Sequence, residues 1–526
     1  MLNVNENACY IPKNLMCPPA ACTDTSIALV WDEPEKAEEV AGYQVFINGH
    51  RYHTLALREE NKREPIDTTH TDFTLINLAS DLEYTLEVCS VLVSGEISKF
   101  CEPIRVKALA KKKQFDITDF GAVGDGVTNN TRDIQRAIDG ATEGGIVYVP
   151  AGTFVTGAIF LKSDITLYLE EGAVLLGSDN LEDYPIMEYR FEGREQRCYA
   201  SLINTKDMLN GQRLKNITIA GPGTIDANGV KLYRQELDRK EAVRGRAVCL
   251  RNVDNVYMHE VTVRQSPAWC IHPIYCNGIS INNIRVYTKC DENGNKYGIH
   301  NGDGIDPDSC SDVYIFNSMI ASQDDCIAIK SGRDEEGRRV GIPTKNVRIT
   351  NCRFRSGFGV AIGSEMSGGV MDVLVKDCDF EDVYSIGTVK APRGRGNVID
   401  NITYEKIRFV NNSLEHKDCR WFRGAIYVDQ FYSHAEFDPS LSEEVNEGTA
   451  KIKNITFKDI VMSTIAGNAI YLAGLPESNL ENICFDNVHA AGKYGMKAYN
   501  VDGLKMTNVK VASMEDKDYE FENVRY

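Results

Sequence analysis

From about residue 114 the chain returns again and again to one short pattern: a polar turn residue, then a run in which aliphatic and polar side chains alternate. Asn216-Ile217-Thr218-Ile219, Asn255-Val256-Tyr257-Met258 and Gly278-Ile279-Ser280-Ile281 show it. So do Asp312-Val313-Tyr314-Ile315, Asn346-Val347-Arg348-Ile349 and Asp372-Val373-Leu374-Val375. Asn401-Ile402-Thr403-Tyr404, Asn454-Ile455-Thr456-Phe457, Asn482-Ile483-Cys484-Phe485 and Gly503-Leu504-Lys505-Met506 continue it. Successive first aliphatic residues lie from 21 positions apart (Ile483 to Leu504) to 53 (Ile402 to Ile455). Period-two alternation predicts a strand with one inward face. A unit this short cannot bury that face alone, and stacking one coil on the next does so. The expected fold class is therefore all-β, a parallel β-helix. A leucine-rich repeat fits less well because Leu-x-x-Leu-x-Leu is absent. One helix is predicted over 131–141, where Ile134, Ala137, Ile138 and Ala141 recur at helical spacing. It is expected to cap the first coil.

Residues 1–110 read differently. Ile27-Ala28-Leu29-Val30-Trp31, Tyr43-Gln44-Val45-Phe46-Ile47 and Tyr84-Thr85-Leu86-Glu87-Val88 alternate as short strands, with Pro18-Pro19 before the first. With Trp31 on an early strand and Leu78 six residues before Tyr84, the segment resembles a fibronectin type III β-sandwich, Tyr84 forming its tyrosine corner. Another small β-sandwich fits the same pattern. Lys111-Lys112-Lys113 marks the boundary. The expected organisation is a small sandwich over 1–110 and a solenoid over 114–526; 526 residues exceed one compact core.

The formal charge of −18 argues against nucleic acid and against an anionic membrane surface as partners. No apolar run approaches twenty residues, so no membrane-spanning helix is expected. Sixteen cysteines occur without a Cys-x-x-Cys pair, and several, such as Cys352, Cys378 and Cys484, lie in or just after strand-like runs that contain aliphatic residues. Buried reduced thiols are expected. No basic-then-apolar leader is visible, so the expected location is cytoplasmic.

The chemistry concentrates in carboxylates. Asp303 lies in Asn301-Gly302-Asp303-Gly304-Ile305-Asp306, Asp324 and Asp325 in Ser322-Gln323-Asp324-Asp325-Cys326. Glu365, in Gly363-Ser364-Glu365, follows roughly one coil later. On a solenoid, stacked coils bring such residues into one patch. Crowded carboxyls raise the pKa of at least one, so an acid and a base coexist near neutral pH, as glycosidic hydrolysis requires.

The segment 114–526 is similar to glycoside hydrolase family 28, the polygalacturonases, through Phe120-Gly121-Ala122-Val123-Gly124-Asp125-Gly126, Gly221-Pro222-Gly223-Thr224-Ile225-Asp226, Asn301–Asp306, Gln323-Asp324-Asp325-Cys326, Ile362-Gly363-Ser364-Glu365 and Arg393-Gly394-Arg395-Gly396. The resemblance implies a right-handed parallel β-helix and an inverting hydrolase without metal or other cofactor. It implies Asp324 as general acid and Asp303 with Asp325 as the pair that activates water, with carboxyls closer together than the usual inverting separation. It further implies Lys390 on a substrate carboxylate and Tyr432 at the substrate subsite. The form around Glu365 is that of the bacterial exo-acting members, so the expected substrate is a galacturonic-acid-containing pectic oligosaccharide. The oligomeric state is not implied.

Two departures stand out. Phe358 occupies the place of the histidine in the family's Gly-His-Gly motif, and Thr388 that of the arginine two residues before the lysine. These point to a changed leaving-sugar subsite, such as rhamnose in rhamnogalacturonan; alternatively Arg393 or Arg395 takes over the carboxylate contact. Arg333, Arg338, Arg339, Arg353, Arg355, Lys390, Arg393 and Arg395 are expected to draw an anionic sugar toward the groove if they face it. Trp269 and His272 are candidates for a sugar platform and a hydroxyl contact, or else for a core Trp and a satisfied core His. A pectin-type lyase and a non-catalytic carbohydrate binder are the competing functions. The Gln-Asp-Asp-Cys context weighs against the first, the intact aspartates against the second.

Overall fold

The computed structural model describes the chain except residues 1–3, 53–65, 142–143, 206–212, 416–421 and 433–436. Two compact units divide it, Met1–Lys113 and Gln114–Tyr526.

In the first unit the strand Glu83–Leu92 pairs antiparallel with Val40–Ile47 and Ile104–Lys107. A second sheet joins Lys13–Met16, Ile27–Asp32 and Asp72–Leu75. The first of these strands precedes Pro18-Pro19 and carries no clear alternation, so the sequence did not reveal it. Between the sheets Trp31 meets Tyr43 edge-on at 5.3 Å, with Leu29, Val45, Leu86 and Val88 around them. The Tyr84 hydroxyl accepts from the Ala79 N–H at 2.8 Å and donates to the Ala79 carbonyl at 3.1 Å.

The second unit is a parallel β-helix. Its coils stack in three ladders. The first runs from Gln114–Asp116 through strands such as Leu214–Ala220, Val253–His259 and Asn277–Asn282. The second includes Thr262–Arg264, Arg285–Tyr287, Met319–Ala321 and Arg353–Arg355. The third carries Val248–Arg251, Ile271–Ile274, Ile327–Ile329, Val360–Ile362, Gly387–Lys390 and Gly424–Asp429. In the first ladder the leading aliphatic residues of the repeat fall into one register row: Ile217, Val256, Ile279, Val313, Val347, Val373, Ile402, Ile455 and Ile483. Each is essentially inaccessible to water. Continuous burial of this row is the driving force that a single coil lacks.

The polar residue that opens each repeat has a backbone reason. Asn216, Asn255, Asp312, Asn346, Asp372, Asn401, Asn454 and Asn482 all sit at positive φ, between 52° and 67°. Side chains other than Gly, Asn and Asp pay for that left-handed conformation. The amide groups also bridge coils, as from Asn401 Nδ2 to Asp372 Oδ1 at 2.8 Å. Replacing exposed Asn401 by Ala is expected to destabilise the protein by about 1 kcal/mol, whereas Asn401→Gly stays near wild type. Urea midpoints of the two variants check this; equal midpoints contradict it.

The helix Thr131–Gly140 forms where the spacing predicts, with Ile134, Ala137 and Ile138 buried against the first coils. Two further helices, Gly229–Arg239 and Asp334–Val340, and an antiparallel hairpin, Ile186–Phe191 with Arg194–Tyr199, interrupt the repeat. The hairpin bears on the site. Gly193 at its tip has φ +76°. A Cβ there would lie 2.6 Å from Cβ of Arg333 and 2.9 Å from Cγ of Glu365, so the tip closes down on Glu365 only because residue 193 is glycine.

Candidate active site

Register decides which side chains meet. In the third ladder Val248, Ile271, Ile305, Ile327, Val360 and Gly387 are successive partners. Two residues earlier in each coil stand Arg246, Trp269, Asp303, Asp325, Phe358 and Ser385. Asp303 and Asp325 are thus vertical neighbours, and Asp324 adjoins them. Each of the three carboxyls brings one oxygen within 4.8 Å of the others. The Gly304 N–H donates to the Asp325 carbonyl at 3.0 Å, and the Asp325 N–H to Asp324 Oδ1 at 3.0 Å. Beside them Ala328, Ala361 and Thr388 form a row of small side chains.

Lysines organise the charge. Lys390 Nζ donates to Asp325 Oδ2 at 2.6 Å and lies 5.3 Å from the Tyr432 ring centroid. Burial pushes the Tyr432 hydroxyl up to about 12 although Lys390 opposes it. Lys330, buried, reaches Glu365 Oε2 at 3.1 Å and Asp303 Oδ2 and Asp306 Oδ1 at 3.8 Å each. Its ammonium sits 4.5 Å from the Trp269 ring centroid. Against the penalty of burial, Lys330 and then Arg395 hold Glu365 at about 2. Burial, with Asp325 adding to it, raises Asp324 to about 6 although Lys390 and Lys330 oppose the rise. A carboxyl that keeps its proton beside ionised neighbours is what a general acid needs.

Several sequence expectations are corrected here. Trp269 is only 2% exposed: Phe191 of the hairpin stacks on it at 5.2 Å and Lys330 lies over its ring, so it supports the site from beneath and is no sugar platform. His272 is wholly buried, 3.5 Å from Asp308, and makes no surface hydroxyl contact. Burial pulls it down to about 3. Arg393 is spent on a two-point ion pair with Glu477, at 2.7 and 3.0 Å, and stacks on Phe431. Arg395 is held by Asp334 and by the Ser364 carbonyl at 2.5 Å, and approaches Glu365 at 3.9 Å. Neither is free to replace an arginine at 388. Arg353 and Arg355 belong to the second ladder, where Arg355 pairs with Asp379, so the sequence cluster of basic residues is divided between faces. Glu365 lies in the site, but its carboxylate is already engaged by Lys330 and by the Ser364 hydroxyl at 2.9 Å.

Thr388 does lie in the row of small residues, its Oγ1 2.8 Å from Ser385 Oγ. Phe358 caps the coil after Asp324, its N–H donating to the Asp324 carbonyl at 3.0 Å and its half-buried ring packing on Tyr384 at 5.6 Å. The sequence reading missed Lys330 and Asp306. A signal existed for Lys330: in Ile327-Ala328-Ile329-Lys330 the alternation points it to the same face as Ala328.

The sequence profile of the glycosyl hydrolases family 28 matches residues 172–513. The chain belongs to this family. An exo-poly-alpha-D-galacturonosidase of Dickeya chrysanthemi is 27% identical, covering 94% of each chain. A probable polygalacturonase of Vitis vinifera is 31% identical over 78% of this chain and 84% of its own. Among solved structures, the family 28 exopolygalacturonase of Yersinia enterocolitica superposes with a TM-score of 0.78 at 23% identity, covering 98% of both chains. The exopolygalacturonase of Thermotoga maritima does so at 0.61 and 26%, covering 76% of this chain and 91% of its own.

This family 28 glycoside hydrolase therefore carries Asp303 and Asp325, both buried, and half-buried Asp324 in a lysine-organised patch on the third ladder. If Asp324 is its acid, the rate falls as pH rises through about 6, because the donor proton is then lost. A pH profile of kcat/KM checks this, and activity that holds level from about pH 5 to about pH 8 contradicts it.

Proposed function

We propose that this hydrolase releases single galacturonic acid residues from the ends of α-linked pectic oligosaccharides with inversion. Asp324 protonates the leaving oxygen, and Asp303 with Asp325 activates the water. The substrate class follows the galacturonan-cleaving relatives in the family. The observation that carries the end-on mode is the state of the coils before Asp303: Arg246 and Trp269, its column predecessors, are 1% and 2% exposed beneath Phe191. The groove is thus closed on that side, while Phe358 on the other is half-exposed. A chain end fits such a site and a chain interior does not. Mass spectrometry of an early digest of long oligogalacturonates tests this: monomer together with substrate shortened by one residue supports it, and a spread of internal fragments defeats it.

Thr388 supports a second reading. The nearest lysine, Lys390, is bound to Asp325, so an uncharged leaving sugar, as in rhamnogalacturonan, suits this subsite. Thr388→Arg should then raise the preference for oligogalacturonate over rhamnogalacturonan oligosaccharides; an unchanged ratio argues against it. The Tyr84 contact to Ala79 supports a fibronectin type III-like assignment for the first unit. A cytoplasmic place of action belongs to the same proposal and is checked by cell fractionation.

A further inference from the structure

Asp306 is wholly buried yet has no part in the three-carboxylate chemistry. Neither of its oxygens receives a hydrogen bond from a donor among the described residues, and the same holds for Oδ1 of Asp303. The two carboxyl groups converge on one ammonium, and each acts on the other's ionisation. Lys330 Nζ is equidistant from them, 3.8 Å from an oxygen of each. That ammonium is not theirs alone, since Glu365 holds it more closely at 3.1 Å. Lys390 is engaged by Asp325. The other groups around Asp306 do not make good the charge. His272, its neighbour in the preceding coil, is kept neutral by burial, and Ala328 in the following coil is uncharged. Arg246 and Asp325 act on it with opposite signs. Two facing carboxylates with a fraction of one counter-ion cannot both remain ionised in a buried space.

We propose that Asp303 and Asp306 share one proton, and that Asp306 is a positioning residue which, as a neutral acid, donates a hydrogen bond to the Asp303 carboxylate. The inference rests on the reading of Asp303 as a base and resolves a conflict within it. Burial, then Asp306 and Asp324, push Asp303 well above the usual carboxylate range, and burial pushes Asp306 up to about 8. An acid at Asp324 needs low pH and a base at Asp303 needs high pH. With the shared proton on Asp306, Asp303 is ionised while Asp324 is still protonated. In the reaction, water gives a proton to Asp303 as its oxygen bonds to the anomeric carbon. The glycosidic C–O bond breaks, and the Asp324 proton goes to the leaving oxygen. Asp306 keeps its proton throughout, and exchange with solvent restores Asp303 and Asp324.

The test compares the full-length protein with Asp306→Asn and Asp306→Ala. Asparagine is neutral and retains a donor, whereas alanine leaves Asp303 without one. Asp306→Ala is expected to lose about 10- to 100-fold in kcat with little change in KM. Asp306→Asn is expected to turn over at least about tenfold faster than Asp306→Ala. Independently of substrate, the infrared spectrum of the wild type should contain a protonated-carboxyl C=O band that titrates near pH 8 and is missing from Asp306→Asn. If Asp306→Asn is as damaged as Asp306→Ala, or if the band persists in Asp306→Asn, the proposal fails. The infrared result stands even if Asp306→Ala does not fold. It also stands if the proposed substrate is wrong, so failure of that reading is recognised separately, by inactivity of the wild type on oligogalacturonates.

Discussion

Asp324→Asn is expected to lower kcat on oligogalacturonate about 1,000-fold while KM changes little, because the amide fills the same space but has no proton to give the leaving oxygen. The loss should depend on the leaving group. An aryl galacturonide departs without protonation, so Asp324→Asn should recover much of its rate on that substrate. Asp303→Asn should not, because the water still needs a base. The geometry motivates this asymmetry. Asp324 is only half-buried and is raised to about 6 by burial and by Asp325. Asp325 is bound by Lys390 at 2.6 Å, and Asp303 adjoins Lys330. Steady-state kinetics on both substrates check the assignment. Equal losses in Asp324→Asn and Asp303→Asn on the aryl substrate contradict it.

The second large effect concerns stability. Lys330→Met leaves Glu365, Asp303 and Asp306 buried without their common cation, and removing one partner of a buried ion pair costs about 3–5 kcal/mol. The loss should vary with pH in a definite direction. In the wild type Glu365 is held at about 2, below its unfolded value, so it contributes stability above about pH 4.5 that is lost as pH falls toward 2. Without Lys330 the buried Glu365 rises instead, and the variant weakens further as pH increases through about 4.5. Lys330→Met combined with Glu365→Gln should recover part of the loss, since it removes one stranded charge. Urea unfolding at about pH 4 and about pH 7 measures both effects. A Lys330→Met variant within about 1 kcal/mol of wild type at the higher pH would show that Lys330 is not the common counter-ion.

Much of the fold is legible because it rests on local rules repeated many times. Each coil needs a left-handed turn residue and an inward aliphatic, and the recurrence of Asn401-Ile402 or Asn454-Ile455 states both requirements at once. The helix over Thr131–Gly140 is legible for the same reason: its apolar spacing is a property of the segment itself. The hairpin Ile186–Phe191 with Arg194–Tyr199 is not legible in this way. Its residues are mixed in polarity, and its value lies in what Phe191 covers far along the chain. That cover is why Trp269, an apparent sugar platform in sequence, proves to be buried.

The site divides along the same line. Asp303, Asp324 and Asp325 are recognisable from motif and chemistry, and register then explains why residues from different coils converge. Lys330 and Asp306 escaped notice because a lysine or aspartate on an outward strand position ordinarily faces water. Here both are buried, through coils and a roof supplied from elsewhere in the chain. The expectation for Arg393 failed for a comparable reason: Glu477, its partner, is distant in sequence and nothing local announces the pair.

Proton NMR of a digest of a short oligogalacturonate, followed from the first turnovers, tests the central claim most directly. The account predicts saturated galacturonic acid as the first product, appearing as the β-anomer before mutarotation, and its release slowed about 1,000-fold in Asp324→Asn. Initial α-anomer, or the vinylic proton of an unsaturated uronate, would contradict it: the first would establish retention and the second a lyase.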